Sequence, residues 1–270
     1  MKHIASRLLA AALCLVPLPG LSQSMDAVTS ARVLPGWRMA DGTHMAALEL
    51  RLAPGWKTYW RAPGDIGIPP RFDWRGSRNL SGVEVEWPTP EPMDQGGMTA
   101  IGYHGTVILP LHVLAQQSAR DITLDGSVDI GVCRDVCIPL TLSLAGDLPA
   151  ATTQRDPRII AALADRPLTA AEAGVTSLRC TITPDDKSGL RLRAEMSLPS
   201  GGGTEIAVIE ASDPNIWVAQ PRIARQGDRF VAETRMAHIE GRPFALDRSG
   251  IRLTVLSAGR AVDIKGCPGG

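Results

Sequence analysis

Two of the five cysteines lie close together, Cys133 and Cys137, in the run Ile130–Pro139 (IGVCRDVCIP). Three residues separate them and strand-forming residues flank them on both sides, so the spacing predicts a tight hairpin loop. Paired strands hold facing Cα atoms near the ~5.5 Å that a disulfide prefers, so this pair can bridge with little movement. A small ring at a loop tip is reachable by another thiol. The chemistry open to it is thiol–disulfide exchange, which needs an attacking thiolate, access for a partner's sulfur and a second thiol to resolve the mixed disulfide. Arg134 would lower a thiolate pKa but Asp135 opposes it, so strong activation is not predicted. On the residues alone, a structural bridge is as well supported as a redox one.

The start of the chain sets the compartment. Residues 1–24 read as a secretory signal peptide: Lys2, His3 and Arg7, an apolar stretch from Leu8 to Leu21, then Ser22-Gln23-Ser24. The apolar stretch is shorter than the roughly 20 residues that span a bilayer. Cys14 follows Leu13, not a small residue, so no lipoprotein cleavage site is read. The mature chain is expected to be soluble, exported and periplasmic. It keeps Cys133, Cys137, Cys180 and Cys267, and an even count in an exported chain favours two disulfides. Three pairings are possible. Cys133–Cys137 with Cys180–Cys267 is preferred because each bridge stays within one domain, and the second is read as structural.

The elements that must position these residues are strands. Alternation of apolar and polar residues marks Met45–Leu52, Val83–Trp87, Ile122–Ile130 and Leu140–Leu144, which predicts antiparallel sheets packed as a sandwich. Val107–Leu114 reads as a further strand in which Pro110 requires an edge or a bulge. Asp156-Pro157 resembles an N-cap with a first-turn proline, so Arg158–Ala164 is a short helix. Strands resume at Val175–Thr183, Leu190–Leu198, Glu205–Glu210, Arg229–Ala237 and Ile251–Leu256. The expected fold is all-β: a sandwich over 25–150, a linker with one short helix over 151–174, and a second, smaller sandwich over 175–270. Twenty-eight basic residues balance twenty-eight acidic ones, which argues against nucleic acid as a partner.

Several motifs carry a resemblance. They are Gly55–Pro70 (GWKTYWRAPGDIGIPP) with Phe72-Asp73-Trp74, Val85–Pro90 (VEWPTP), Gly102-Tyr103 and the Cys-x-x-x-Cys-Ile-Pro motif. Together they resemble the periplasmic N-terminal region of the thiol:disulfide interchange protein DsbD, and more closely its relative ScsB, the suppressor of copper sensitivity. The likeness is strong over residues 30–150 and looser beyond. It implies immunoglobulin-like sandwiches and a redox role for Cys133 and Cys137, with Cys137 favoured as the first to react. It implies a membrane electron donor of the DsbD, ScsB or CcdA type and periplasmic thioredoxin-like partners, with no cofactor. It also implies a cap loop over the pair, here Glu91–Tyr103. Met93, Asp94, Gln95, Gly96, Gly97, Met98 and Tyr103 are its candidates, with Met93 or Met98 as the apolar lid. The family's aromatic cap motif is absent, and the cysteines are closer together than in the best-known DsbD domain. No counterpart of the family's transmembrane and thioredoxin-like domains is read, so electrons are expected from a separate protein.

Other groupings are read more plainly. Trp56, Trp60, Trp74, Trp87 and Tyr59 suit core packing better than a ligand surface. Arg61 and Asp65, flanking Pro63-Gly64, are read as a local turn-stabilising pair. Met93, Met98 and His104 with the cysteines are the copper(I) candidates, since that ion favours thiolate and thioether ligands, but their spacing is loose. His112 sits among apolar strand residues, and His44 and His238 are isolated. No Ser-His-Asp order, phosphate loop or carboxylate pair stands out.

Overall fold

The computed structural model describes residues 27–185 and 188–269. The signal-peptide reading and Cys14 lie outside the described residues. The chain forms nineteen strands and one helix among those described. In order, the first ten strands are β1 (Val28–Arg38), β2 (His44–Leu52), β3 (Lys57–Gly64), β4 (Arg71–Asp73), β5 (Leu80–Val85), β6 (Glu91–Gln95), β7 (Met98–His104), β8 (Thr106–Ala115), β9 (Ile122–Cys133) and β10 (Cys137–Leu148). Helix α1 (Pro157–Ala164) follows. The rest are β11 (Leu168–Thr169), β12 (Thr176–Pro184), β13 (Leu190–Ser197), β14 (Glu205–Glu210), β15 (Ile216–Val218), β16 (Arg222–Gln226), β17 (Arg229–His238), β18 (Arg252–Ser257) and β19 (Arg260–Lys265). Among the described residues no helix is long and apolar enough to cross a membrane.

These strands build two immunoglobulin-like sandwiches. In the first, sheet β1-β2-β8-β5 faces sheet β10-β9-β3-β7-β6, with β4 paired to β9. Alternation along the strands turns Leu48, Leu50, Leu111, Ile122, Leu124, Val128 and Trp60 into a shared core. The second sandwich packs β11-β19-β18-β14 against β12-β13-β17-β15, with β16 also on β17. Its core gathers Leu192, Phe230, Ala232, Met236, Val255 and Ile264.

The linker helix is capped as its sequence predicts. The Asp156 carboxylate accepts from the Arg158 backbone N–H, and Pro157 occupies the first turn. Its buried face sends Ile159 into a small cluster with Leu34, Trp37, Met45 and Ala47 on the back of the first sandwich.

Pro110 corrects one expectation, because β8 is neither an edge strand nor bulged there. It runs between β2 and β5, with Pro110 opposite Ala47. The Pro110 carbonyl accepts from the Glu86 N–H on the β5 side, one residue beyond the end of β5. A strand residue's N and C=O point to the same side, so the missing N–H faces a ladder that has already ended.

The sandwiches meet around β3. Val208, Leu256 and Ala261 of the second pack into the core cluster of the first. Arg61, within β3, forms a bidentate pair with Glu210, with N–O distances of 3.1 and 2.9 Å. This replaces the local Arg61–Asp65 pair expected from sequence. Asp65 instead exchanges hydrogen bonds with Thr99: its backbone N–H donates to the Thr99 carbonyl and its carboxylate accepts from the Thr99 N–H.

Candidate functional site: a disulfide at the tip of a strand hairpin

Strands β9 and β10 pair without a register shift from Leu148↔Ile122 to Cys137↔Cys133. The two cysteines therefore close the hairpin at its tip. They are bonded to each other, with Cα atoms 4.1 Å apart. Their surroundings differ sharply: Cys133 is fully buried, whereas Cys137 is exposed. The loop between them turns outward. Val136 is 70% exposed, and Arg134 pairs with Asp135 while its guanidinium lies 5.1 Å from the centre of the Trp56 ring. Arg134 is thus held by groups other than the sulfurs.

The stretch expected from the resemblance to form a cap loop, Glu91–Tyr103, is a second hairpin. β6 and β7 pair from Glu91↔Gly102 to Gln95↔Met98. The two-residue turn is Gly96-Gly97, with φ of 66° and 83°. Positive φ at both central residues is what a tight hairpin with matching twist demands, and glycine adopts it without steric cost. This hairpin delivers Gln95 to the disulfide. Its amide nitrogen donates to Cys133 Sγ at 2.8 Å and to Cys137 Sγ at 3.0 Å. Met93 lies buried with Tyr59, Ala100 and Cys133 in one small cluster, backed by Ile66 and Ile68. Asp94 and Met98 are exposed. Tyr103 turns into the main core and donates to the Pro88 carbonyl at 2.9 Å. Of the cap candidates, Gln95 and Met93 are the two brought to the cysteines.

Tyr59 completes the site from below. Its hydroxyl lies 3.1 Å from Cys137 Sγ and donates to Gln95 Oε1 at 3.3 Å. Burial lifts its pKa above the ordinary tyrosine value, while the hydrogen bond to Gln95 acts the other way. The hydroxyl therefore stays protonated, as a donor, at neutral pH. The ring is held by a close approach to Gly131 on β9. A Cβ there would come within 2.9 and 3.0 Å of ring carbons and 2.7 Å of Ile68 Cβ. Gly131→Ala is expected to cost about 1–3 kcal/mol through overpacking and to shift Tyr59 away from the sulfur. Urea unfolding of the oxidised protein checks this. A wild-type midpoint would show that Ile68 and Tyr59 yield freely.

Residues 30–146 match the family model described as Thiol:disulfide interchange protein DsbD, N-terminal. The matched span contains both cysteines, the β6–β7 hairpin and Tyr59. The first sandwich resembles the DsbD N-terminal domain. A solved structure, the N-terminal periplasmic domain of ScsB from Proteus mirabilis, is similar at 21% identity and a TM-score of 0.63. The alignment covers 90% of this chain and 99% of that one, so the likeness in fold runs through both sandwiches. No curated protein sequence matches the chain.

The remaining candidates are placed elsewhere in this DsbD-like framework. Cys180 is bonded to Cys267, both buried, with Cα atoms 5.5 Å apart. The Cys180 N–H donates to the Pro268 carbonyl, and Arg248 donates to the carbonyls of both cysteines, so the chain end is stitched to β12. Of the copper candidates, Met93 packs beside Cys133, but Met98 is exposed and His104 lies apart. His104 Nδ1 sits 3.4 Å from the Glu91 carboxylate, and Lys57 lies between His104 and Cys133 in the sheet. Among the described residues no group of three or more His, Cys, Asp and Glu is arranged to hold a metal. Trp56 and Trp60 are buried, and Trp74 and Trp87 pack partly buried against the same core.

Proposed function

We propose that this protein is a thiol–disulfide exchange module that accepts electrons at Cys137 and passes them to partner proteins. The observation that carries this reading is the asymmetry of the bridge: one exposed sulfur and one buried sulfur, with hydrogen-bond donors on both. A partner's thiolate bonds to Cys137 Sγ, the Cys133–Cys137 bond breaks, and the electron pair leaves on Cys133. The partner's second thiol, as thiolate, then attacks its own sulfur in the mixed disulfide. Cys137 leaves, the partner is oxidised, and the cysteine pair holds two electrons and takes up two protons. The reverse sequence delivers them onward. The Cys133–Cys137 ring is small, so its opening removes only roughly 2 kcal/mol of chain constraint, and the fold survives the cycle.

The compartment proposed is the periplasm, in keeping with the similar periplasmic domain of ScsB and with the signal-peptide reading of residues 1–24. The donor proposed is a membrane reductant of the DsbD, ScsB or CcdA type, and the acceptors are periplasmic thioredoxin-like proteins. Activity in the sense of a protein-disulfide reductase then depends on that separate donor.

The test is trapping. Cys133→Ser leaves Cys137 able to form a mixed disulfide with a thioredoxin-like partner but unable to resolve it. A stable adduct through Cys137 is expected with this variant, and none through Cys133 in Cys137→Ser. Peptide mapping of the adducts reads the answer. Trapping through Cys133, or no adduct with either variant, would remove the reading.

A further inference from the structure

Exchange at Cys137 creates a difficulty that the cysteines do not solve themselves. The sulfur that departs is Cys133, which is fully buried among Tyr59, Met93 and Ala100. A thiolate formed in such apolar surroundings is disfavoured by desolvation unless a donor meets it. Arg134, the nearest cation in sequence, is engaged by Asp135 and stacked over Trp56, and Lys57, opposite Cys133 in the sheet register, makes no hydrogen bond to the sulfur. The donor seen on Cys133 Sγ is the Gln95 side-chain amide, at 2.8 Å.

We propose that Gln95 is a catalytic residue of the exchange, its amide N–H forming a thiolate hole for the departing Cys133 sulfur, with Tyr59 as the positioning residue that orients the amide. The inference rests on the exchange reading above. Its physics is that of an oxyanion hole: a preorganised donor aimed at the atom where charge develops. A disulfide sulfur carries no hydrogen, so both sulfurs can only accept. The amide must therefore turn its NH2 group toward them and its oxygen away. Tyr59 enforces that orientation, because its O–H donates to Gln95 Oε1. The hydrogen bond to neutral sulfur is weak, and it strengthens when Cys133 becomes an anion. The interaction is thus greater after bond cleavage than before, which is the condition for accelerating the step. The cap hairpin accordingly has a chemical role besides cover: its Gly96-Gly97 turn fixes the register that brings Gln95 to the sulfur. Since Cys137 is exposed with this hairpin in place, the donor can stay on Cys133 while a small thiol reacts.

The experiment compares the wild type with Gln95→Ala and Gln95→Glu, using dithiothreitol as the reductant of the oxidised protein. Two readouts are taken: the rate of Cys133–Cys137 reduction, and the thiolate titration of the reduced protein followed by ultraviolet absorbance. A hydrogen bond to a charged group corresponds to about ten- to a hundredfold in rate, so Gln95→Ala should slow reduction by that factor. Gln95→Glu keeps the shape but offers a carboxylate to the nascent thiolate. It should slow reduction at least as much and raise the buried thiol's pKa. Tyr59→Phe should show a smaller loss, since the amide keeps its donor and loses only its orientation. If Gln95 were merely a shield, the alanine variant would react faster than wild type, which would overturn the proposal. Unchanged rates and titrations in both Gln95 variants would overturn it too, while leaving the exchange reading intact if the wild type reacts normally. A wild type whose disulfide resists dithiothreitol while folded would sink both. Circular dichroism of each variant confirms that the hairpin fold is retained.

Discussion

Replacing Cys180 and Cys267 together by alanine is expected to cost roughly 4–5 kcal/mol of stability in the chain-entropy model, because the bridge closes a long loop. Their sequence separation is 87, against 4 for the other pair. The loss would fall on the second sandwich. There the bridge holds the chain end beside β12, where Cys180 and Gly269 form a parallel β-bridge. Domains of this size are stable by only about 5–15 kcal/mol, so a loss on that scale leaves the second sandwich marginal. Removing Cys133 and Cys137 should cost about half as much, roughly 2 kcal/mol. Denaturant unfolding of the two double variants under non-reducing conditions tests the contrast. Equal losses would mean that the short ring contributes to stability as much as the long one, and would count against its use in a redox cycle. The same contrast predicts that mild reduction opens the Cys133–Cys137 bridge first, since its Cys137 sulfur is exposed whereas Cys180 and Cys267 are both buried.

Most of the framework was legible because strand alternation is a local signal. Ile122–Ile130 and Leu140–Leu144 alternate cleanly, and the structure continues those strands to the cysteines, so the hairpin follows from pattern plus spacing. The cap hairpin was less legible. Its strands contain Pro92 and polar residues, and its alternation is too irregular to announce β6 and β7. Gln95 carried no sequence signal for its role, because its sulfur partners lie 38 and 42 positions away. Tyr59 was hidden differently, inside a tryptophan-rich block whose members are core, with only its hydroxyl departing from that pattern. Gly131 offered a hint: a glycine two residues before Cys133, inside a strand, marks a close approach of something bulky. Arg61 misled because a carboxylate stood four positions away, while its actual partner is 149 residues distant.

That long-range pair supports the last prediction. Arg61 is 12% exposed and Glu210 24%, so neither is well solvated. The guanidinium also lies 3.9 Å from the centre of the Trp60 ring, and its Nη2 donates to Thr254 at 3.3 Å. Burial pulls the Arg61 pKa below its ordinary value and Glu210 works against that pull, yet an arginine remains charged at any physiological pH. Glu210→Leu therefore strands a cation between the sandwiches. Asp263 cannot replace the lost partner, since it sits 3.8 Å from Arg61 and is held by Arg252 at 2.6 Å. The expected cost is about 3 kcal/mol. Arg61→Met should cost less, because Glu210 is the more exposed of the two. The double variant should recover most of the loss, since apolar residues at both positions leave no charge unpaired and join Val208 and Leu256, which already pack across the same contact. Denaturant unfolding of the four proteins gives the coupling directly. Additive losses would mean that Arg61 and Glu210 act independently, and that apolar packing alone joins the sandwiches beneath the strand that carries Tyr59.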